Sequence, residues 1–451
     1  MQNPIFHVTT TNVESGLQSF GFSILYDHIS AAAFDNGDAF DDMKCFPGTR
    51  TLLLERLDSW LGYPVNPERL IIWLSGPMGS GKTAIARTIA HQTSANNRLI
   101  GTFMFSRTVL GRDDEVRFVA TLAYQLALSI PLSRPFIEQK IAQDPAILQQ
   151  SPGRQLEGLI LEPLRMMRAQ HVCTDITRLP NVIIVDGLDE CGANNAIGKE
   201  ERQITVLDLL HRLSRSQDIL PFTILVLSRP ERHLSNWFSR ASVQRVTYQL
   251  YLDKSYNPED DIRLFVTQSF ESILEDHPSR HLLPLGWPYN VEHPAYTEGV
   301  NAIDIIVDAS SGQFLYPSVV MKLLRSQKHR PDQSLLAVFG RSREANTIVS
   351  ATHSLDTLYR QVLQSADDHQ NVLKLLAYHA FSDYAPRIRI PLRVILRLLD
   401  ISYQDLQDCI DRLEAIVTFT LKPFFTFHHS SFREFLDDKA RARNCLFRAV
   451  T

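Results

Sequence analysis

The sequence predicts an α/β chain: a parallel five-stranded sheet with flanking helices, then a helical domain, then a C-terminal winged helix. Three observations predict it. Between residues 66 and 251, short apolar runs alternate with amphipathic helical patterns. From 252 to 365 helical periodicity continues with no strand pattern between the helices. From 366 to 451, three helical patterns lead into two short aromatic strands.

At 451 residues the chain is too long for one ordinary core, so several domains are expected. It is globular in composition, 44% hydrophobic and 21% charged. Its 46 basic and 50 acidic residues leave a net charge of −4, which gives no electrostatic footprint for general nucleic-acid binding. The five cysteines, at 45, 173, 191, 409 and 445, lack metal-ligand spacing and are odd in number. They read as the reduced thiols of a cytoplasmic protein. The opening MQNPIFHVTTTNVESG has no basic segment followed by an apolar one, so no secretory signal is expected. Apolar runs such as LIIWL are about five residues long, whereas a spanning helix needs ~20, and no membrane partner is expected.

Residues 1–65 form a lead-in, in which the turn-rich FPGTR precedes a helical TLLLERLDSWL. The 66–251 core offers the strands RLIIWLS, GTFMFS, NVIIVD, FTILVLS and VTYQLY. They are β-branched or aromatic and apolar at consecutive positions, as strands buried on both faces should be. Helices between them imply crossover connections and a parallel sheet. In the 252–365 domain, DDIRLFVTQSFESILEDH, AIDIIVDASSGQFLYPSVVMKLLRS and SLDTLYRQVLQSADD are helical, and HPSRHLLPLGWPYNVEHPAY reads as a long loop. The 366–451 domain holds NVLKLLAYHAF, PLRVILRLLD and YQDLQDCIDRLEAI, then VTFTL and FFTFHH around Lys422-Pro423. Three helices and a hairpin make a winged helix. Its last helix carries Asp405, Asp408, Asp411 and Glu414 against Arg412, and so would repel phosphates. Leu406, Ile410 and Leu413 supply a buried stripe. That module reads as packing, and nucleic acid is not an expected partner.

The chemistry begins at WLSGPMGSGKTAIARTIA. Gly76-Pro77-Met78-Gly79-Ser80-Gly81-Lys82-Thr83 fits the pattern GxxxxGK[ST] in full, between a strand and a helix. Glycines let the backbone wrap a polyphosphate with its N–H groups turned inward, at a helix N-terminus that favours anions. Lys82 would bridge the β- and γ-phosphates and the Thr83 hydroxyl would ligate Mg²⁺. The core is therefore expected to be a P-loop NTPase binding ATP or ADP. In NVIIVDGLDEC, Asp186 ends a buried strand and would hold the Mg²⁺ through water. Asp189 and Glu190 follow; either would orient or deprotonate the attacking water, and the sequence does not choose between them. A third strand ends in Ser228-Arg229, where a basic residue would lie beside the γ-phosphate.

GPMGSGKT, IIVDGLDE and ILVLSRPE together resemble the NACHT class of STAND NTPases. More narrowly the chain is similar to fungal NACHT proteins with a nephrocystin-3-like N-terminal domain, through DHISAAAFDNGD, KCFPGTR, FMFSRT, VATLAYQLALSIP, GQFLYPSVV, LDTLYRQVL and HSSFREFL. The resemblance implies a switch that is closed with ADP, its winged helix folded back, and that opens with ATP to self-associate. It implies that His429, ahead of Phe432 and Phe435, contacts the β-phosphate of ADP, and that Thr49 and Arg50 lie near the base. It further implies slow hydrolysis, a role in self/non-self recognition, and an effector and a repeat sensor. No internal repeat is visible in this sequence, and the expectation is a truncated paralogue, a fragment, or a component that borrows both functions from a sensor or effector partner. The competing expectations are a nucleotide-binding scaffold without turnover and a nucleic-acid-dependent ATPase.

Overall fold

The computed structural model describes residues 21–30, 44–62, 70–107, 109, 111–171, 175–192, 198–292, 299–327, 329–340, 351–364, 375–376, 391–413, 415–419 and 425–442. The start of the lead-in, most of DHISAAAFDNGD and NVLKLLAYHAF, Glu414 and the Lys422-Pro423 turn lie outside the described residues. The chain divides into two compact units. The first is Met1–Cys45, Thr51–Pro77 and Lys82–Leu252; the second is Phe46–Arg50, Met78–Gly81 and Asp253–Thr451.

In the first unit α1 (Thr51–Leu61) buries Leu53, Leu57 and Leu61, one stripe at a spacing of four. The rest follows as β1 (Ile71–Ser75), α2 (Lys82–Ala95), β2 (Leu99–Met104), α3 (Phe118–Ser129), α4 (Arg134–Gln143) and α5 (Glu162–Ala169). Then come β3 (Val182–Asp186), α6 (Lys199–Ser214), β4 (Thr223–Ser228), α7 (Arg232–Phe238) and β5 (Thr247–Tyr251). The five strands form one sheet in the order β2-β3-β4-β1-β5, and every pairing is parallel. β1, β3 and β4 are buried along their whole length, as their unbroken apolar runs require.

The two edges differ: β2 is buried from Ile100 to Met104, whereas β5 is not. β5 exposes Gln249 and Tyr251, which share one face at a period of two, and so is not buried on both faces as expected. At the other edge a side chain stands in for a sixth strand. Thr102 N donates to Gln125 Oε1 of α3, and Gln125 Nε2 donates back to Thr102 O, both at 2.8 Å. Glycine at 101 permits this, since a Cβ there would come within 2.8 Å of the Gln125 side chain. Beneath the sheet Phe103 packs on Phe105 and Phe118, and Trp73 stacks on Phe238 at 4.1 Å. Each such fully buried ring contributes on the order of 2–3 kcal/mol. Because β4 lies between β1 and β3, the carboxyl ends of these three strands sit side by side. That is the place where a parallel α/β sheet holds its ligand.

The second unit is built on α8 (Pro258–Asp276), α9 (Ala302–Ser310), α10 (Leu315–Arg325), α11 (Pro331–Gly340) and α12 (Ala351–Gln364). Within the expected long loop a short turn of helix forms at Arg280–Leu282, and Val291 bridges to Val300. The winged helix follows as α13 (Leu392–Leu399), α14 (Tyr403–Leu413), β6 (Val417–Phe419), β7 (Phe425–Phe427), α15 (Ser430–Asp437) and α16 (Lys439–Ala442). β6 and β7 pair antiparallel, Thr418 opposite Thr426. Leu406 and Leu413 of α14 are buried in the same core as α8–α12, so this helix has a packing face. Tyr359 of α12 packs against Phe432 and Phe435, and Asp356 accepts from Arg441 Nε and Nη2 at 3.0 and 2.8 Å. Among the described residues no helix is long and apolar enough to cross a membrane.

Candidate nucleotide site

The 76–83 loop leaves β1 and enters α2 at Lys82. Its turn depends on two glycines in the left-handed region, Gly79 at φ +76° and Gly81 at φ +88°. Alternation of hand along a loop turns successive N–H groups to one side, which makes an anion nest. Lys82 Nζ donates to Gly76 O at 2.9 Å and Pro77 O at 2.8 Å, so its amine is folded back over the loop. Burial pulls the Lys82 pKa down, against the opposing charges of Asp189, Asp186 and Glu190 and alongside that of Arg229. One ammonium thus feels the residues that end β3 and β4.

Asp186 closes β3 and is buried; burial raises its pKa to about 6, although the Thr83 hydroxyl donates to it and Lys82 stands nearby. The next residue has to be glycine. Gly187 sits at φ +68°, and a Cβ there would lie 2.8 Å from Phe105 O. The chain then turns through Leu188–Glu190, presenting two acids in different settings. Both oxygens of Asp189 are engaged by Arg229: Oδ1 accepts from its backbone N at 2.9 Å and Oδ2 stands 3.2 Å from its Nε. Glu190 Oε2 accepts from Arg107 N at 3.1 Å, with Arg107 Nε at 3.9 Å. The Asp189 carboxylate is almost wholly enclosed (4% exposed) and that of Glu190 less so (16%).

The structure therefore brings Lys82, Thr83, Asp186, Asp189, Glu190 and Arg229 into one constellation in the first unit. Thr49, Arg50 and His429 belong to the second. Thr49 is buried, and its N and Oγ1 both donate to Phe46 O, closing the FPGTR turn. Arg50 Nη2 donates to Ser80 O at 3.0 Å, and its backbone N donates to Asp261 Oδ2. His429 is the N-cap of α15: its Nδ1 accepts from Ser431 N at 3.0 Å and meets Ser431 Oγ at 2.7 Å, and that oxygen meets Tyr359 OH at 2.8 Å. The adjacent His428 is a different group. Burial and the Lys322 ammonium, 2.9 Å from its Nδ1, lower its pKa to about 4.

Several participants carry no signature in the sequence. Gln203 of α6 donates to Asp189 O and Cys191 O and meets His233 Nε2, fixing the acidic turn from behind. Arg112, its pKa lowered to about 10 by burial and then by Arg87, donates through Nε to Met104 O. Arg107 belongs to FMFSRT, but nothing in its spacing pairs it with Glu190.

Residues 48–229 match the family model described as Nephrocystin 3, N-terminal. With the loop, the buried acid and the parallel sheet already in place, this settles the coarse class. The chain carries a P-loop NTPase domain. No curated protein matches it by sequence. Among solved structures, the ORC2 protein of Aeropyrum pernix is 12% identical with a TM-score of 0.40, covering 92% of this chain and 99% of its own. Cdc6p of Pyrobaculum aerophilum is 12% identical with a TM-score of 0.39, covering 93% of this chain and 100% of its own. Drosophila ORC bound to DNA is 14% identical with a TM-score of 0.32, covering 83% of this chain and 88% of its own. Likenesses this distant assign no activity to the P-loop NTPase domain. The Drosophila structure is of a complex bound to DNA, which is a property of that protein.

Proposed function

We propose that the chain is an ATP/ADP switch of the NACHT/STAND type, with slow Mg²⁺-dependent hydrolysis, nucleotide-controlled self-association and a role in signalling such as self/non-self recognition. The observation that carries it is the joining of Thr83 to a buried Asp186 beside Lys82. Thr83 and Asp186 offer two hydrogen-bonded oxygen donors, one a carboxyl whose charge burial disfavours. This donor set suits a hard divalent cation, which would neutralise charge on the phosphates. Lys82 would exchange its two carbonyl acceptors for phosphate oxygens. Asp189, with both oxygens committed to Arg229, would hold that arginine at the strand end. Glu190 would then act on the water, since its second oxygen is outside the Arg107 backbone bond. By the resemblance, His429 donates to the β-phosphate of ADP. Its Nδ1 already accepts, so the ring proton belongs on Nε2. The trigger, effector and sensor are partners of unidentified chemistry.

The test is the nucleotide carried by gently purified protein, released by denaturation and identified by chromatography. Near-stoichiometric ADP in the wild type, lost in Lys82→Ala and His429→Ala, is the expected result. His429→Asn separates two roles, because asparagine is a good N-cap but reaches less far than the imidazole. It should keep the wild-type melting temperature and still lose ADP. Retention of ADP by His429→Asn and His429→Ala alike would reduce His429 to a helix cap. Bound ATP that persists unhydrolysed with Mg²⁺ would favour the scaffold without turnover, in which the two arginines keep both acids engaged.

A further inference from the structure

Arg50 lies in none of the motifs that bind phosphate, yet it is among the most enclosed charged residues of those described, at 5% exposure. Its own backbone is in the left-handed region, φ +58°, held there by the donation of Arg50 N to Asp261 Oδ2 at 3.1 Å. The guanidinium stands 5.0 Å over the Phe314 ring, with Nε 3.8 Å from Asp261 Oδ2. From this seat Nη2 donates 3.0 Å to Ser80 O. Ser80 belongs to the loop apex, Met78–Gly81, which packs with the same unit: Met78 lies against its core, and the position of a Cβ on Gly79 would be 2.9 Å from Leu315 Cβ.

We infer that Arg50 is a positioning residue for polyphosphate, acting through the Ser80–Gly81 peptide. A peptide unit is planar and trans, so its C=O and N–H point in opposite directions. Holding Ser80 O against the guanidinium therefore turns the Gly81 N–H to the other side of the loop, the side of the nest. The same bond polarises the peptide, since a cation on the carbonyl oxygen makes the N–H of that unit a stronger donor. Glycine at 81 has no side chain to fix its peptides, and its φ of +88° is one of many open to it. A charged donor on the neighbouring carbonyl supplies the missing restraint. The ligand class is a di- or triphosphate, recognised by a backbone donor that Arg50 presets. The inference rests on the reading of residues 76–83 as a phosphate loop.

The experiment measures binding of inorganic pyrophosphate and of ADP to the full chain by calorimetry, with melting temperature recorded without ligand. The variants are Arg50→Leu, Arg50→Gln, Arg50→Lys and Lys82→Ala. Arg50→Leu should raise both Kd values about tenfold, the worth of one well-placed hydrogen bond to a charged group. Arg50→Gln should weaken binding less, and Arg50→Lys should recover most of the affinity, because its ammonium still donates to a carbonyl. If Arg50 were only a strut, Arg50→Leu and Arg50→Gln would melt earlier yet bind pyrophosphate with the wild-type Kd when folded. That result overturns the inference. A wild type that binds no better than Lys82→Ala overturns the phosphate-loop reading and takes this inference with it.

Discussion

Asp186 is held in a setting that costs the protein stability, and Asp186→Asn should reveal it. Burial moves this carboxyl from an ordinary 3.8 up to about 6, a change worth about 3 kcal/mol against the folded state at neutral pH. Asparagine keeps an acceptor for the Thr83 hydroxyl and removes the buried charge. The value of about 6 already sets the attraction of Lys82 against burial, so the gain should be up to about 3 kcal/mol. At roughly 2–4 °C per kcal/mol, the melting temperature in chelator without nucleotide should rise by several degrees at pH 7.5. The sign fixes the pH profile. A carboxyl whose folded pKa is raised carries no penalty below 3.8, an increasing one up to about 6, and the whole of it above. The gap between variant and wild type should therefore be full at pH 7.5 and close towards pH 4. Binding of Mg²⁺-ATP should fall in the same variant, since the donor that costs stability is the one proposed for the cation. Equal melting temperatures at pH 7.5, or a gap that widens on acidification, would refute the reasoning.

Gln125→Leu should destabilise the chain by about 2–4 kcal/mol in denaturant titration, because the buried N–H and C=O of Thr102 both lose their partner. Gly79→Ala should lower stability by about 1–2 kcal/mol from its left-handed backbone, with an added cost for displacing Leu315, and should weaken ADP binding in calorimetry. In Ser431→Ala the backbone cap to His429 survives but the hydroxyl between Tyr359 and Nδ1 is lost. Stability should fall by about 1 kcal/mol, and the ¹⁵N shifts of His429 should show protonation at Nε2 in wild type and variant alike, because the Ser431 N–H still donates to Nδ1.

The readable part of the site was the part written in consecutive residues. A glycine turn between a strand and a helix reads as a loop, and Asp186 ends its strand because Gly187 turns the backbone into the left-handed region, where a Cβ would also meet Phe105 O. The sheet was readable for the same reason, since β1, β3 and β4 are apolar on consecutive positions and can only be buried on both faces. The edge strand β5 escapes that rule. Nothing in VTYQLY marks it as the strand with a solvated side, and nothing in VATLAYQLALSIP marks Gln125 as the partner of a strand edge.

The sequence by itself determined the phosphate loop, the acids after β3, the parallel sheet and the hairpin near the end, because each follows from local backbone preference and hydrophobic period. Tertiary structure alone decided which acid is spoken for. Asp189 and Glu190 are neighbours of the same charge, and only the placing of β4 and β2 on either side of β3 delivers Arg229 to one and the backbone of Arg107 to the other. It decided as well that Arg50 grips Ser80. Such pairings join residues tens of positions apart, and their energies depend on burial and distance that no period in the sequence encodes.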